Sequence, residues 1–266
     1  MCQKNFKSIN NQRSADINFF RIAYQNKEYH CLKNPEGYQL IKGDIFTNWE
    51  LTDKIIRNEA AELLLPVRPS KIIAVGLNYY KHAQELNMPL PSVPLIFLKP
   101  NTTLVASGQN ILKPAMSDQV DYEGELALII GEKTRNVLEE KALQYLFGYT
   151  LANDVTARDL QKIDAQWTRA KSFDSFCPLG PSIATEVDID KLEFTTYVNG
   201  ELKQTGRPSD FIFSVSKIIS FISQIMTLLP GDVILTGTPA GIGSMQIGDK
   251  VQIICEQIGV LENKLQ

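Results

Sequence analysis

Three acidic residues carry the strongest chemical signal in this chain. In Asp121-Tyr-Glu-Gly-Glu-Leu-Ala-Leu-Ile-Ile130, Glu123 and Glu125 are two positions apart. Side chains two apart on a strand share a face. Beyond Glu125 both faces are apolar, so the two carboxylates lead directly into a buried strand. Like charges at the edge of a core repel each other and lose hydration, and a divalent cation removes that penalty. A solvated strand end is the plainer alternative, and these residues alone leave both readings open. Asp154, at the end of the apolar run Gly148–Asn153, is a third candidate ligand and equally a candidate helix N-cap. Two Glu and one Asp would fill one side of an octahedral Mg²⁺ shell and leave the other side to water and substrate oxygens.

The remaining residues narrow the choice of metal and add acid–base groups. There are 2 histidines, His30 and His82, and 4 scattered cysteines without a CxxC pair. A His-rich or thiolate metal site is therefore excluded, and oxygen ligands select hard cations, Mg²⁺ first, with Mn²⁺ or Ca²⁺ as alternatives. His82 and Glu85 are three apart in a helix-like segment, where side chains are neighbours. A carboxylate beside an imidazole fixes its tautomer and raises its basicity, as a general base requires, although such a pair is also an ordinary surface contact. The proline-rich flank Pro89–Pro94 makes this segment a candidate lid. Lys171, among apolar, Gly and Pro neighbours, suits a substrate carboxylate or an enolate oxygen if it lies near the metal. The loop Thr236-Gly-Thr-Pro-Ala-Gly-Ile-Gly243 looks like a phosphate cradle. It lacks the Gly-Lys-[Ser/Thr] ending and the third dinucleotide glycine, so no organic cofactor is expected. Its backbone N–H groups could still receive a carboxylate.

These groups need a scaffold, and the pattern supplies a strand-rich one. Ile17–Tyr24, Glu28–Leu32 and Tyr38–Ile41, separated by turn residues, read as a short meander. A helical or irregular stretch follows, up to the stiff Pro66-Val-Arg-Pro69 connector, where a boundary is placed: a small N-terminal β-rich domain over 1–69 and a larger catalytic domain over 70–266. Within the latter, strands are expected at Lys71–Gly76, Leu126–Ile130, Gly148–Asn153, Phe194–Val198 and Glu201–Gln204, with an Asn199-Gly200 type I′ turn. Helices are expected at Asn78–Glu85, Glu139–Phe147, Val155–Ile163 and, most clearly, Ser214–Thr227, with Ser214 as its cap. Strands outnumber helices without alternating regularly, so the fold class is α+β, β-rich, not a doubly wound sheet. A length of 266 residues, 44% hydrophobic and 21% charged, fits one large domain or a domain with an appendage. A net charge of −3 leaves no footprint for nucleic acid, no apolar run reaches a membrane span, and the polar N-terminus lacks a secretory signal. A cytoplasmic protein with free thiols is expected.

Read together, Val75-Gly-Leu-Asn-Tyr79 with His82 and Glu85, Asp121-Tyr-Glu-Gly-Glu125, Asn153-Asp-Val-Thr-Ala-Arg-Asp-Leu-Gln161, Lys171–Pro181 and Pro230–Gly243 resemble the fumarylacetoacetate hydrolase family, in the family's order over about residues 71–265. The resemblance implies a mixed β-roll, a homodimer, and Mg²⁺ or Mn²⁺ held by Glu123, Glu125 and Asp154. It also implies Lys171 beside the metal, His82–Glu85 as a dyad on a mobile lid, and Arg158, Gln161 and Thr238 lining the pocket. One position departs: Val75 stands where fumarylacetoacetase proper carries a further Asp ligand, which favours the smaller acylpyruvase-like branch. The expected activity is hydrolysis of the C–C bond of small acylpyruvate-type acids. Isomerisation, tautomerisation or decarboxylation of a 2-oxo diacid is the alternative at the same site, and a non-catalytic binding protein on the same fold is a third reading.

Overall fold

Gln25 and Asn26 take φ values of 50° and 59°, the left-handed pair that a type I′ turn requires, and they close the first hairpin between Asn18–Tyr24 and Lys27–Asn34. The computed structural model of the protein describes residues 17–266; Cys2 and most of the polar N-terminal segment read as lacking a secretory signal lie outside them. The meander continues through Gly37–Gly43 and into a fourth strand, Trp49–Ile56. The sequence suggested a helical or irregular stretch there. Glu50, Asp53 and Lys54 make this segment look loop-like, but it is a sheet-edge strand, where charged residues are expected. Trp49 anchors it edge-on against Phe19, with ring centroids 5.2 Å apart.

The meander does not stand apart. Its first strand pairs with Cys177–Ala184, so the strands before and after residue 69 belong to one 12-stranded sheet. The order runs from the meander through Cys177–Ala184, Leu146–Asn153, Gly124–Ile130, Val233–Leu235 and Ile72–Gly76 to the edge strand Leu95–Lys99. Smaller sheets of 3 and 5 strands complete a strand-rich α+β architecture. The 5-stranded sheet contains the expected hairpin Phe194–Val198/Glu201–Gly206, with Asn199 and Gly200 at φ 51° and 83°.

The helices are few and short. Val215–Ile225 is the longest, capped by Ser214, whose hydroxyl accepts from Lys217 N at 3.1 Å. Val215, Ile218, Ile219 and Ile222 form its buried stripe. The helix expected over Glu139–Phe147 is a 3₁₀ segment, Glu139–Tyr145, which gives way to a strand at Leu146. Ala142 is its one buried residue, so no apolar stripe holds an α-helix there. The helix expected from Val155 begins at Arg158, because Thr156–Ala157 first pairs with Val120–Tyr122. No helix among the described residues is long and apolar enough to cross a membrane. Cys31 and Cys177 are buried thiols.

Candidate metal centre and active site

The acidic segment is two strands, not one. Val120–Tyr122 belongs to the 3-stranded sheet and Gly124–Ile130 to the 12-stranded sheet, so Glu123 sits where the chain passes between them. Parity still delivers the expected pairing. Glu123, Glu125 and Asp154 are all buried, and one ligand oxygen from each lies within 4.8 Å of the others. Asp154 reaches the cluster because Leu146–Asn153 pairs with Gly124–Ile130, with Asn153 opposite Gly124. Its amide donates to Glu123 O at 2.8 Å, and the Asn153 side chain accepts from Glu123 N at 2.9 Å. Asp154 is not a helix cap, since the next helix starts at Arg158 after Ala157.

Cations surround the cluster unevenly. Lys171 Nζ lies 2.8 Å from Glu123 Oε2, 2.6 Å from Asp154 Oδ2 and 2.8 Å from Thr156 Oγ1. Arg158 donates Nε to Asp121 Oδ2 at 2.8 Å and its two terminal nitrogens to Glu123 and Gln161. Glu125 has no such partner among the described residues. It accepts one hydrogen bond, from Gly237 N at 2.7 Å. The consequence is a split between neighbours. Burial alone would push the Glu123 carboxyl up, but Lys171 and Arg158 outweigh it and hold it at about 2. Burial, then the charges of Asp154 and Glu123, push Glu125 well above the usual carboxylate range. Burial opposes charge on Lys171 too, yet Asp154 and Glu123 keep its pKa raised and the ammonium charged.

Lys99 was not anticipated. Its side chain is fully buried, and Nζ lies 2.5 Å from both Asp154 Oδ1 and the Lys171 carbonyl. The available signal was a lone lysine closing the run Leu95-Ile-Phe-Leu98, since a lysine at the end of a core strand needs a buried partner. Asp121 was likewise passed over. Lys99, Arg158 and Lys171 face Asp121, Glu123, Glu125 and Asp154, three cations against four carboxylates. The donor set is all oxygen, and the carboxyl left without a cationic partner is Glu125. Both properties fit a hard divalent cation.

His82 is buried, and its Nδ1 lies 2.8 Å from Glu85 Oε2 on the short helix Tyr80–Glu85. The other carboxylate oxygen of Glu85 accepts from Gly241 N at 2.9 Å. The Thr236–Gly243 loop thus does present N–H groups to carboxylates, and they are the chain's own, Glu125 and Glu85. No hydrogen bond among the described residues joins the dyad directly to the three acids. Thr238 Oγ1 donates to Gly124 O at 2.9 Å and accepts from Gln204 Nε2 at 2.8 Å, so it braces the peptide between the two glutamates. A groove of about 580 Å³ contains none of the candidate metal, catalytic or substrate-binding residues. It touches the site at Tyr122, where burial, then Asp121 and Glu85, raise the phenol to about 12, and at Gly241–Gly243.

Residues 71–266 match the family described as fumarylacetoacetate (FAA) hydrolase, C-terminal. A protein of Archaeoglobus fulgidus is 55% identical over 204 residues, 77% of this chain and 82% of that one. Human mitochondrial oxaloacetate tautomerase FAHD2A is 39% identical over 221 residues, covering 79% of this chain and 70% of its own. The crystal structure of 2-hydroxyhepta-2,4-diene-1,7-dioate isomerase from Mycobacterium marinum superposes with a TM-score of 0.86 at 42% identity, covering 94% of this chain and 98% of that one.

Proposed function

The chain belongs to the fumarylacetoacetate hydrolase family, and from that premise we propose that it is a Mg²⁺-dependent enzyme interconverting the keto and enol forms, or the double-bond isomers, of a small 2-oxo diacid. One observation carries the reading: three buried carboxylates converge within 4.8 Å beside a buried, charged lysine, and one of them lacks a cationic partner. Glu123, Glu125 and Asp154 would hold the ion. When bound, it supplies Lewis acidity that lowers the cost of forming an enolate next to a 2-oxo group. Lys171 contributes a fixed positive charge for the enolate oxygen, already oriented by Glu123, Asp154 and Thr156 and shielded from water. His82 removes the proton from the carbon beside the 2-oxo group, with Glu85 fixing the ring tautomer through Nδ1. The proton is then delivered to the enolate oxygen in tautomerisation, or to the far carbon of the conjugated enolate in double-bond isomerisation. The named activities of the human and mycobacterial relatives support this reading.

The dyad gives the second reading its footing. An imidazole held by a carboxylate can also activate water, and attack on the distal carbonyl of an acylpyruvate would break the C–C bond and leave a pyruvate enolate at the same lysine. Following ultraviolet absorbance of oxaloacetate and of an acylpyruvate with Mg²⁺ separates the two. The expected outcome is accelerated enol–keto exchange of oxaloacetate that is abolished by EDTA and by Glu123→Gln. Acylpyruvate cleavage without oxaloacetate exchange would transfer the assignment to hydrolysis, and full activity in EDTA would remove the metal from both.

A further inference from the structure

The dyad helix is tied to the Thr236–Gly243 loop at both ends. Ahead of the helix, Asn78 Nδ2 donates to Thr236 O at 2.8 Å, and Asn78 Oδ1 accepts from Phe213 N at 2.8 Å. At its other end, Glu85 accepts from Gly241 N at 2.9 Å. The Asn78 tie is made to buried groups. The Glu85 tie depends on a glycine, the residue whose flanking peptides turn most freely. Gly241 has φ 99°, and a Cβ there would lie 2.1 Å from the Lys203 carbonyl oxygen, so no other residue fits without moving backbone. Something else must therefore fix its orientation.

Tyr122 does so. Its hydroxyl donates to Gly241 O at 2.9 Å, and the side chain is anchored in the core at 4% exposure, immediately before Glu123. A chain of three hydrogen bonds runs from Tyr122 through both sides of the Gly241 Cα to Glu85 and on to His82 Nδ1. We propose that Tyr122 is a positioning residue: by pinning Gly241 it keeps the Gly241 N–H aimed at Glu85 and so holds His82 in its working orientation. This rests on the reading above, in which His82 moves the proton.

Tyr122→Phe removes the hydroxyl and leaves the ring in place. It is compared with Glu85→Ala and with the double variant, using steady-state kinetics on oxaloacetate, Mn²⁺ calorimetry, and hydrogen exchange of residues 78–88. Loss of one neutral hydrogen bond corresponds to a fall in kcat of about tenfold. KM and Mn²⁺ affinity should stay within about twofold by the same argument, because the hydroxyl bonds to Gly241 O and to no metal ligand. The double variant should be no slower than Glu85→Ala alone, since both act through one chain of contacts. Amides of 82–88 should exchange faster in Tyr122→Phe. Additive losses would overturn the proposal, as would an affinity for Mn²⁺ that falls in step with kcat, which would locate the effect at Glu123. If the wild-type protein turns over no oxo acid, the functional reading fails by itself. The exchange arm still decides on Tyr122, and unchanged exchange rejects it.

Discussion

Glu123 and Glu125 are separated by one residue and behave as opposites. Glu123 is gripped by Arg158 and Lys171 and held at about 2, whereas Glu125, buried and facing Asp154 and Glu123, is pushed well above its ordinary 4.5. The two therefore act on stability with opposite signs. For Glu123, whose folded pKa is depressed, the contribution is present above 4.5 and lost as pH falls towards 2. For Glu125, whose folded form binds its proton more tightly than the unfolded chain does, the contribution is full below 4.5 and lost as pH rises through the raised pKa. A divalent cation competes with that proton. The expected result is an ion affinity that rises with pH, with about one proton released per ion bound, measured by calorimetry in buffers of different ionisation enthalpy. The gain in Tm from Mg²⁺ should correspondingly be larger at about pH 8 than at about pH 5.5. A pH-independent gain would show that Glu125 is not the group exchanging its proton for the metal.

At the scale of elements, the carboxylate pair depends on a close approach of two sheets at Gly124. A Cβ there would lie 2.1 Å from Thr196 Oγ1 and 3.1 Å from Gln204 Oε1, so the strand carrying Glu125 rests directly on the hairpin Phe194–Val198/Glu201–Gly206. Gly124→Ala should displace the peptide between the two ligands and weaken Mn²⁺ binding by at least about tenfold, the effect of disturbing a ligand's supporting contacts. Thr196 Oγ1 is buried without a hydrogen-bond partner among the described residues, so Thr196→Ala costs little and removes the clash. The double variant Gly124→Ala/Thr196→Ala should regain most of the lost affinity by calorimetry. No regain would show that Gly124 serves backbone freedom and not this contact. Much of this level was legible in the sequence. Alternation placed both glutamates on one side, and Asn199-Gly200 and Ser214 marked their turn and cap. The break at Glu123 was not legible, because Asp121–Glu125 alternates smoothly across it and only long-range pairing moves Val120–Tyr122 into another sheet. Lys99 and Asp121 escaped for the same reason: their partners are 55 and 37 positions away. Trp49–Ile56 escaped because an edge strand need not look apolar.

At the scale of the whole molecule, the family match begins at residue 71, yet the site's support begins much earlier. Phe19, Ile41, Ile45 and Val67 pack in one cluster with Ile72, Ala127, Ile129, Leu179, Ile183 and Leu235. Ala127 and Ile129 share the parity of Glu123 and Glu125, so the meander and connector cover the continuation of the metal-ligand strand. Phe19 also pairs with Ile183 in the sheet, and removing it leaves that edge open. Each of those four side chains contributes about 1.5–3 kcal/mol by burial, so together they supply roughly 6–12 kcal/mol. That is comparable with the whole stability of an average domain, about 5–15 kcal/mol. A truncated chain of residues 70–266 is therefore expected to lose cooperative thermal unfolding and to bind Mn²⁺ far more weakly, even though it keeps every acidic ligand and the His82–Glu85 pair. Circular dichroism melting and calorimetry on the truncated and full chains provide the check. A cooperative melt with undiminished ion affinity would mean that the meander is an appendage, and that the buried charges of the site are held by the larger domain alone.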